Sequence, residues 1–419
     1  MQPAGVAPSP HASAERWLDA ARWSAIVGAC TVMVSPPLAN VAIVAMLICF
    51  FASGEAWPRL RQSLAQPLAI GALLVIAVIA LGMLWSTVPW GERWRAFYAW
   101  RKLWIVPVLL ALFGPLLWKE RLLAAFVAVC AAAAMVSFAL VAQSGLLPSD
   151  QYHAAASVLR NHAAQSMAFA AAVFIAVWAA SRPETSPKLR FAAVVAAVLL
   201  ALNLAFVTPG RSGYLALLVM LAVFAAGRLR SWRSLAIGGT LGVLFAAAMA
   251  VSPLARDRIG LALHELQTVR QAEAISSMGI RVIMYENTLQ LARERPLIGV
   301  GTGGFGEAYA ALAKTRYSDW RAQPSLDPHN QYLFFLAEQG LVGLAAFLAF
   351  IALALADRGD GGPTRLLAIG LLLAWCATSL LSSHFQTFAE GHLLAFLLAA
   401  MLARPAARDA AAAPSGPGR

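Results

Sequence analysis

Residues 121–142 read "RLLAAFVAVCAAAAMVSFALVA", and after Arg121 no charge interrupts them. Wound as an α-helix at 1.5 Å per residue, a stretch of this length reaches roughly 30 Å, the thickness of a bilayer's hydrocarbon core. Apolar stretches of this kind recur at roughly 20–35, 37–53, 66–85, 103–118, 163–180, 189–207, 212–227, 234–251, 329–356, 364–383 and 385–404. Composition agrees, with 60% hydrophobic and only 12% charged residues, where a soluble domain carries about a quarter charged. In lipid only helices or closed barrels satisfy their own backbone hydrogen bonds, and the alternation of a barrel strand is absent. The expected fold is therefore all-α, a polytopic membrane protein of about twelve transmembrane helices.

Basic residues orient it. With both ends inside, the cytoplasmic segments hold seventeen Lys and Arg, against six in the short outer connections: Arg93, Arg95, Arg101, Lys102, Arg160 and Arg211. That asymmetry is the positive-inside bias, and it also accounts for the net charge of +12 without invoking nucleic acid. The first two spans flank Ser35, Pro36 and Pro37, a tight turn between paired helices. The opening "MQPAGVAPSPHASAE" lacks a basic start followed by an apolar core, so the first span is expected to act as the insertion signal. The chain divides into spans one to nine (1–251), one large outer loop (252–328) and spans ten to twelve (329–419). Within the loop, helices are expected near 257–275, 281–294 and 304–315, separated by Gly and Pro.

The loop contains "GVGTGG" (299–304), a literal G-x-G-x-x-G. A dinucleotide fingerprint needs a strand before it and a βαβ unit around it, and here helical patterns flank it outside the cytoplasm. The glycines are expected to build a compact turn, not to bind a nucleotide. Cys30, Cys49, Cys130 and Cys376 lie in apolar segments without C-x-x-C spacing, so neither a metal site nor a disulfide framework is indicated.

The outer cations run against the positive-inside trend. "ERWRAFYAWRKLW" (92–104) sets Arg95 and Lys102 seven residues apart, on one face of a helix. "TPGRSGY" (208–214) holds Arg211 in a turn, and Arg281 opens "RVIMYENTLQLARERP". Each of these can snorkel to headgroups; as a set they suit a phosphate ligand, which guanidinium groups grip bidentately. In "LDPHNQYLFFLAEQGLVGL" (326–344), Asp327 fits as N-cap and Pro328 as first helical residue, so His329 would begin the tenth span. A neutral imidazole there could serve as a general base at neutral pH, or only cap the helix.

The outer "R-x-x-x-Y-E-N … A-x-x-x-P-L-I-G-V-G-x-G-x-F" followed by "P-H-N-x-Y-L" at the start of a span resembles the O-antigen ligase and polymerase superfamily, in motif detail from about 209 to 343. The resemblance implies a GT-C type glycosyltransferase of the bacterial inner membrane with its active site facing the periplasm. It would use neither metal nor cofactor, nucleotide nor nucleic acid. The implied reaction moves a glycan from undecaprenyl diphosphate to the lipid A-core acceptor, inverting the anomeric carbon. By the same resemblance His329 is catalytic, while Arg211 and Arg281 bind the donor diphosphate; Arg95, Lys102 and Arg160 join them on charge alone. A polymerase or a protein O-oligosaccharyltransferase would share this donor. A lipid-linked oligosaccharide transporter is the alternative of another class, but it should carry polar residues in mid-span or matched broken helices.

Overall fold

The computed structural model of the chain describes residues 10–143, 157–208, 210–227 and 277–406, with a few positions between 240 and 260. Each apolar stretch that falls on these residues is helical over most of its length. The ninth expected span (234–251) and the loop helix near 257–275 lie largely outside the described residues.

Helices α1 (Pro10–Thr31) and α2 (Pro36–Ala52) form a hairpin. Extended Ser35 precedes Pro36 and Pro37 in the first turn of α2, where a missing N–H costs nothing. Helix α3 (Ala56–Leu64) bends by 111° from α2. There follow α4 (Pro67–Gly82), α5 (Trp90–Tyr98), α6 (Arg101–Trp104), α7 (Val106–Leu112), α8 (Leu116–Gln143), α9 (His162–Ser181), α10 (Pro187–Phe206) and α11 (Arg211–Gly227). After the segment that contains the ninth span come α12 (Ser277–Glu294), α13 (Phe305–Arg316), α14 (Gln331–Glu338), α15 (Gly340–Ala356), α16 (Arg365–Thr378) and α17 (Phe388–Leu402).

Helices α8, α9 and α10 are long and apolar enough to cross a membrane, α2 with α3 makes a bent fourth, and α4, α11, α15, α16 and α17 are shorter apolar helices. The protein is a polytopic helical membrane protein; by this criterion the described residues hold fewer full-length spans than the twelve expected of the whole chain. Helix α9 sits at the centre: its apolar window is 83% buried, against 28% for α8 and 33% for α10. Ala168, Ala170, Ala171 and Ala172 let its neighbours approach closely. Val41, Val44 and Ile48 on α2, with Val195 and Val198 on α10, stay exposed and form part of the lipid-facing belt. The outer loop has its own small core, Leu291, Phe305, Tyr309, Ala313, Phe334 and Ala337, which docks α12 and α13 onto α14.

Three departures from the expected spans shape the outer face. The fourth span is broken at Ile105, ahead of Pro107, into α6 and α7. The tenth begins at Gln331, with Asn330 as its cap, and breaks again at Gln339 before Gly340. Gly340 takes φ 66° with its Cβ position 2.3 Å from the Leu297 carbonyl, so no side chain fits. The last two spans are shortened at their outer ends. Helix α16 has 14 residues and α17 has 15, or about 21 and 22 Å of rise against a core of roughly 30 Å. Arg365 and Arg404 stand at their far ends, and the connection 379–387 between the two helices is irregular.

The glycine run makes a turn that caps two helices. Gly299, Gly301 and Gly303 have φ of 65°, 87° and 81°, while Gly304 is right-handed and caps α13. Val300 N–H donates to Ala337 O at 3.0 Å, Gly301 N–H to Glu338 O at 2.8 Å, and Thr302 N–H to Gly82 O at 3.0 Å. Gly303 N–H donates to the Glu338 carboxylate. The turn thus satisfies carbonyls left open at the ends of α14 and α4, and the N–H groups a phosphate would need are consumed.

Candidate functional site

The end of the outer loop, 325–331, is held in a strained turn. His329 has φ 55°, the sole positive φ of a non-glycine among the described residues. A side chain in that region costs about 1–2 kcal/mol, and such strain persists only where surroundings over-determine it. Here they do. The His329 N–H donates to Asp327 Oδ1 at 2.9 Å, and the His329 carbonyl faces the Tyr285 hydroxyl at 3.2 Å. Asn330 donates through Nδ2 to Leu380 O at 3.1 Å, and its Oδ1 accepts from Tyr332 and Leu333 N–H at 3.0 and 3.1 Å. Gln331 N–H donates to Ser379 O at 2.9 Å. The cap is therefore Asn330, not Asp327 as the sequence suggested, because Asp327 is spent on an Asx-type turn. His329 lies outside the helix, with its ring unpinned by helical geometry.

The side chains of this turn form a chain of contacts. His329 Nδ1 lies 4.0 Å from Asp327 Oδ2, with the ring 44% exposed. Ser383 donates its hydroxyl to Asp327 Oδ1 at 2.5 Å, so the carboxylate is aimed from a third element. Tyr285 of α12 also donates to Leu380 O at 2.8 Å; burial pushes its phenol above the ordinary value, so it stays a neutral donor.

The connection 379–387 ties this turn to the cations. Gln386 N–H donates to Gln331 Oε1 at 3.0 Å, and buried His384 and Glu390 face each other at 3.8 Å. Beyond it, Phe388 has the Arg101 guanidinium 5.0 Å and the Arg160 guanidinium 5.6 Å from its ring centre. Gln165 joins the Arg160 segment to the Arg211 turn: its Oε1 accepts from Val158 and Leu159 N–H at 2.8 and 3.0 Å, and its Nε2 donates to Thr208 Oγ1 at 2.8 Å. Arg211 begins α11 there, half-buried, and Arg281 stands one helical turn before Tyr285 on α12.

Two expected ligands sit differently. Lys102 is 1% exposed, and its ammonium donates to the carbonyls of Ala99, Gln386 and Thr387. All three protons are used, which makes Lys102 a clamp on the 379–387 connection and not a ready phosphate ligand. Arg95 is exposed on α5 and stands outside this network. Ser383, Tyr285, Asn330 and Gln165 were not singled out from the sequence. The signal for Ser383 was the polar run "SSHFQT" (382–387) inside an apolar region; for Gln165, a buried amide in an alanine-rich helix, local sequence held none.

Chemically, the assembly offers an imidazole beside a carboxylate, with the Arg101 and Arg160 guanidinium groups over Phe388 at the end of the neighbouring connection. Residues 196–348 match the O-antigen ligase family model, an interval that takes in Arg211, Arg281, Asp327 and His329 and leaves Arg95, Lys102 and Arg160 outside. Domains of this kind are shared by O-antigen ligases, polymerases and O-oligosaccharyltransferases, membrane glycosyltransferases that act on lipid-linked glycans. No curated protein matches the chain.

Proposed function

We propose that this chain is an inverting, metal-independent O-antigen ligase. It moves a glycan from undecaprenyl diphosphate to a hydroxyl of the lipid A core at the periplasmic face of the inner membrane. The observation that carries the reading is the strained turn that sets His329 4.0 Å from Asp327, both inside the segment matched to the ligase family, with Ser383 donating to Asp327 from a later element. His329 Nε2 takes the proton of the acceptor hydroxyl, whose oxygen bonds to the anomeric carbon. The bond from that carbon to the diphosphate breaks, and the electron pair leaves with the diphosphate oxygen. Asp327 faces the imidazolium as it forms, and Ser383 keeps Asp327 aimed. Arg211 and Arg281, with Arg160 and Arg101 beside Phe388, stabilise the departing charge, which is where electrostatic preorganisation contributes most.

The test is the lipopolysaccharide of a strain lacking this protein. Loss of long chains while lipid-linked polymer accumulates supports a ligase, and wild-type protein but not His329→Ala should restore the long chains. Loss of the polymer itself would instead make it a polymerase, and loss of glycan from protein an O-oligosaccharyltransferase. Activity that fails in chelator and returns with Mg²⁺ would count against the metal-independent reading.

A further inference from the structure

Residues 383–387 form a turn that is closed on itself and held from outside by one cation. Gln386 and Thr387 N–H both donate to Ser383 O, at 3.0 and 3.1 Å, and the Thr387 hydroxyl donates to His384 O at 3.1 Å. The same turn supplies the Ser383 hydroxyl that reaches Asp327, and Gln386 N–H also reaches Gln331 Oε1. The carbonyls of Gln386 and Thr387 are taken by a side chain of another element, the Lys102 ammonium of α6.

The path of that side chain is fixed along its length. Its stem runs over Gly391, where an added Cβ would lie 2.8 Å from Cδ and 2.9 Å from Cε. A buried ammonium is costly unless it is hydrogen-bonded and its charge is compensated. Carbonyls meet the first need, and the buried Glu390 carboxylate, facing His384 at 3.8 Å, supplies the opposite charge that acts on it. Arg101, the neighbour of Lys102 on α6, stands over the ring of Phe388. Helix α6 therefore grips residues 386–388 through two successive side chains.

We propose that Lys102 is a positioning residue for the His329 base, acting through the 383–387 turn. The ammonium fixes Gln386 and Thr387, their N–H groups fix Ser383, and Ser383 aims Asp327 at His329. The proposal rests on the reading of His329 as the base of the transfer reaction. It gives Lys102 a part in that reaction without contact to the donor diphosphate, the opposite of what its charge alone suggests.

Lys102→Met in the purified full-length protein tests this, with transfer kinetics, hydrogen exchange and melting temperature measured together. The value of kcat should fall about tenfold, the worth of one charge-assisted contact, with KM for donor and acceptor little changed. Exchange should quicken at the N–H groups of Gln386 and Thr387 and stay unchanged in α9. In a Ser383→Ala background the same substitution should cost less in kcat, because the hydroxyl it positions is gone. Should Lys102→Met fail to accumulate, Gly391→Ala keeps the ammonium but displaces its stem, and should lower kcat several-fold in the same pattern. A raised donor KM with kcat kept would make Lys102 a donor ligand and overturn the proposal. Faster exchange at Gln386 and Thr387 with unchanged kcat, or an equal loss in both backgrounds, would overturn it too. His329→Ala separates premise from proposal: if that variant retains turnover the base assignment fails, whereas its full loss beside wild-type kcat in Lys102→Met defeats the role of Lys102 alone.

Discussion

Replacing Asp327 by Asn separates the two things this carboxylate does. Oδ1 accepts the His329 N–H at 2.9 Å and the Ser383 hydroxyl at 2.5 Å, and an amide oxygen can take over both. The charge facing Nδ1 at 4.0 Å is lost. Two unit charges at that distance interact by about 1 kcal/mol in water and about 4 kcal/mol at an effective dielectric of 20. With the ring 44% and the carboxylate 30% exposed, solvent screening brings the value to about 1–2 kcal/mol. The interaction exists only once the imidazole has taken the acceptor's proton. It should therefore appear in kcat, as a loss of roughly 5–30-fold, with KM for either substrate little changed. The assay is transfer by purified protein from lipid-linked glycan to core acceptor, resolved on gels, with melting temperature measured alongside. In a His329→Ala background, itself down about 10²–10⁴-fold, Asp327→Asn should cost nothing further, because Asp327 acts through His329. An equal loss in both backgrounds, or a fall in melting temperature large enough to explain the loss, would refute the reasoning.

Tyr285→Phe removes the hydroxyl that donates to Leu380 O and reaches His329 O. At about 1 kcal/mol for one hydrogen bond, kcat should drop several-fold with donor KM unmoved, and unchanged turnover would remove Tyr285 from the positioning of His329. Gly301→Ala should sharply lower protein level and melting temperature, since φ is 87° and the added Cβ would lie 2.6 Å from Ser86 Cα. Gly54→Ala is the control, with φ 71° and open space around it, so only the conformational cost of about 1–2 kcal/mol applies; equal effects in the two variants would contradict the capping turn. Gln165→Leu leaves the N–H groups of Val158 and Leu159 unmatched, at about 1–3 kcal/mol for each buried group. It should weaken donor use more than acceptor use, with Gln165→Glu partly restoring it through the retained acceptor oxygen; equal effects on both substrates would argue against a donor-side role.

Hydropathy located the apolar helices because a span must be long and uncharged whatever packs against it. The order of Arg211, Arg281 and His329 along the chain was legible too, since each stands in a local motif. What packing decided was not. The same apolar letters support a full span or a shortened one, so only the fold reveals that α16 and α17 stop early and leave Ser379–Thr387 irregular and in contact with the turn of His329. Asp327 and Asn330 are both good caps by residue type, and the choice fell to Asn330 because Leu380, distant in sequence, offers its Nδ2 a carbonyl. Lys102 read as one more outer cation until three carbonyls claimed its protons. Its role, like that of Gln165 between Val158 and Thr208, depends on backbone groups brought together from separate elements. Periodicity and composition report where a residue can stand relative to lipid and water; which hydrogen-bonding partner it meets there is a property of the tertiary structure alone.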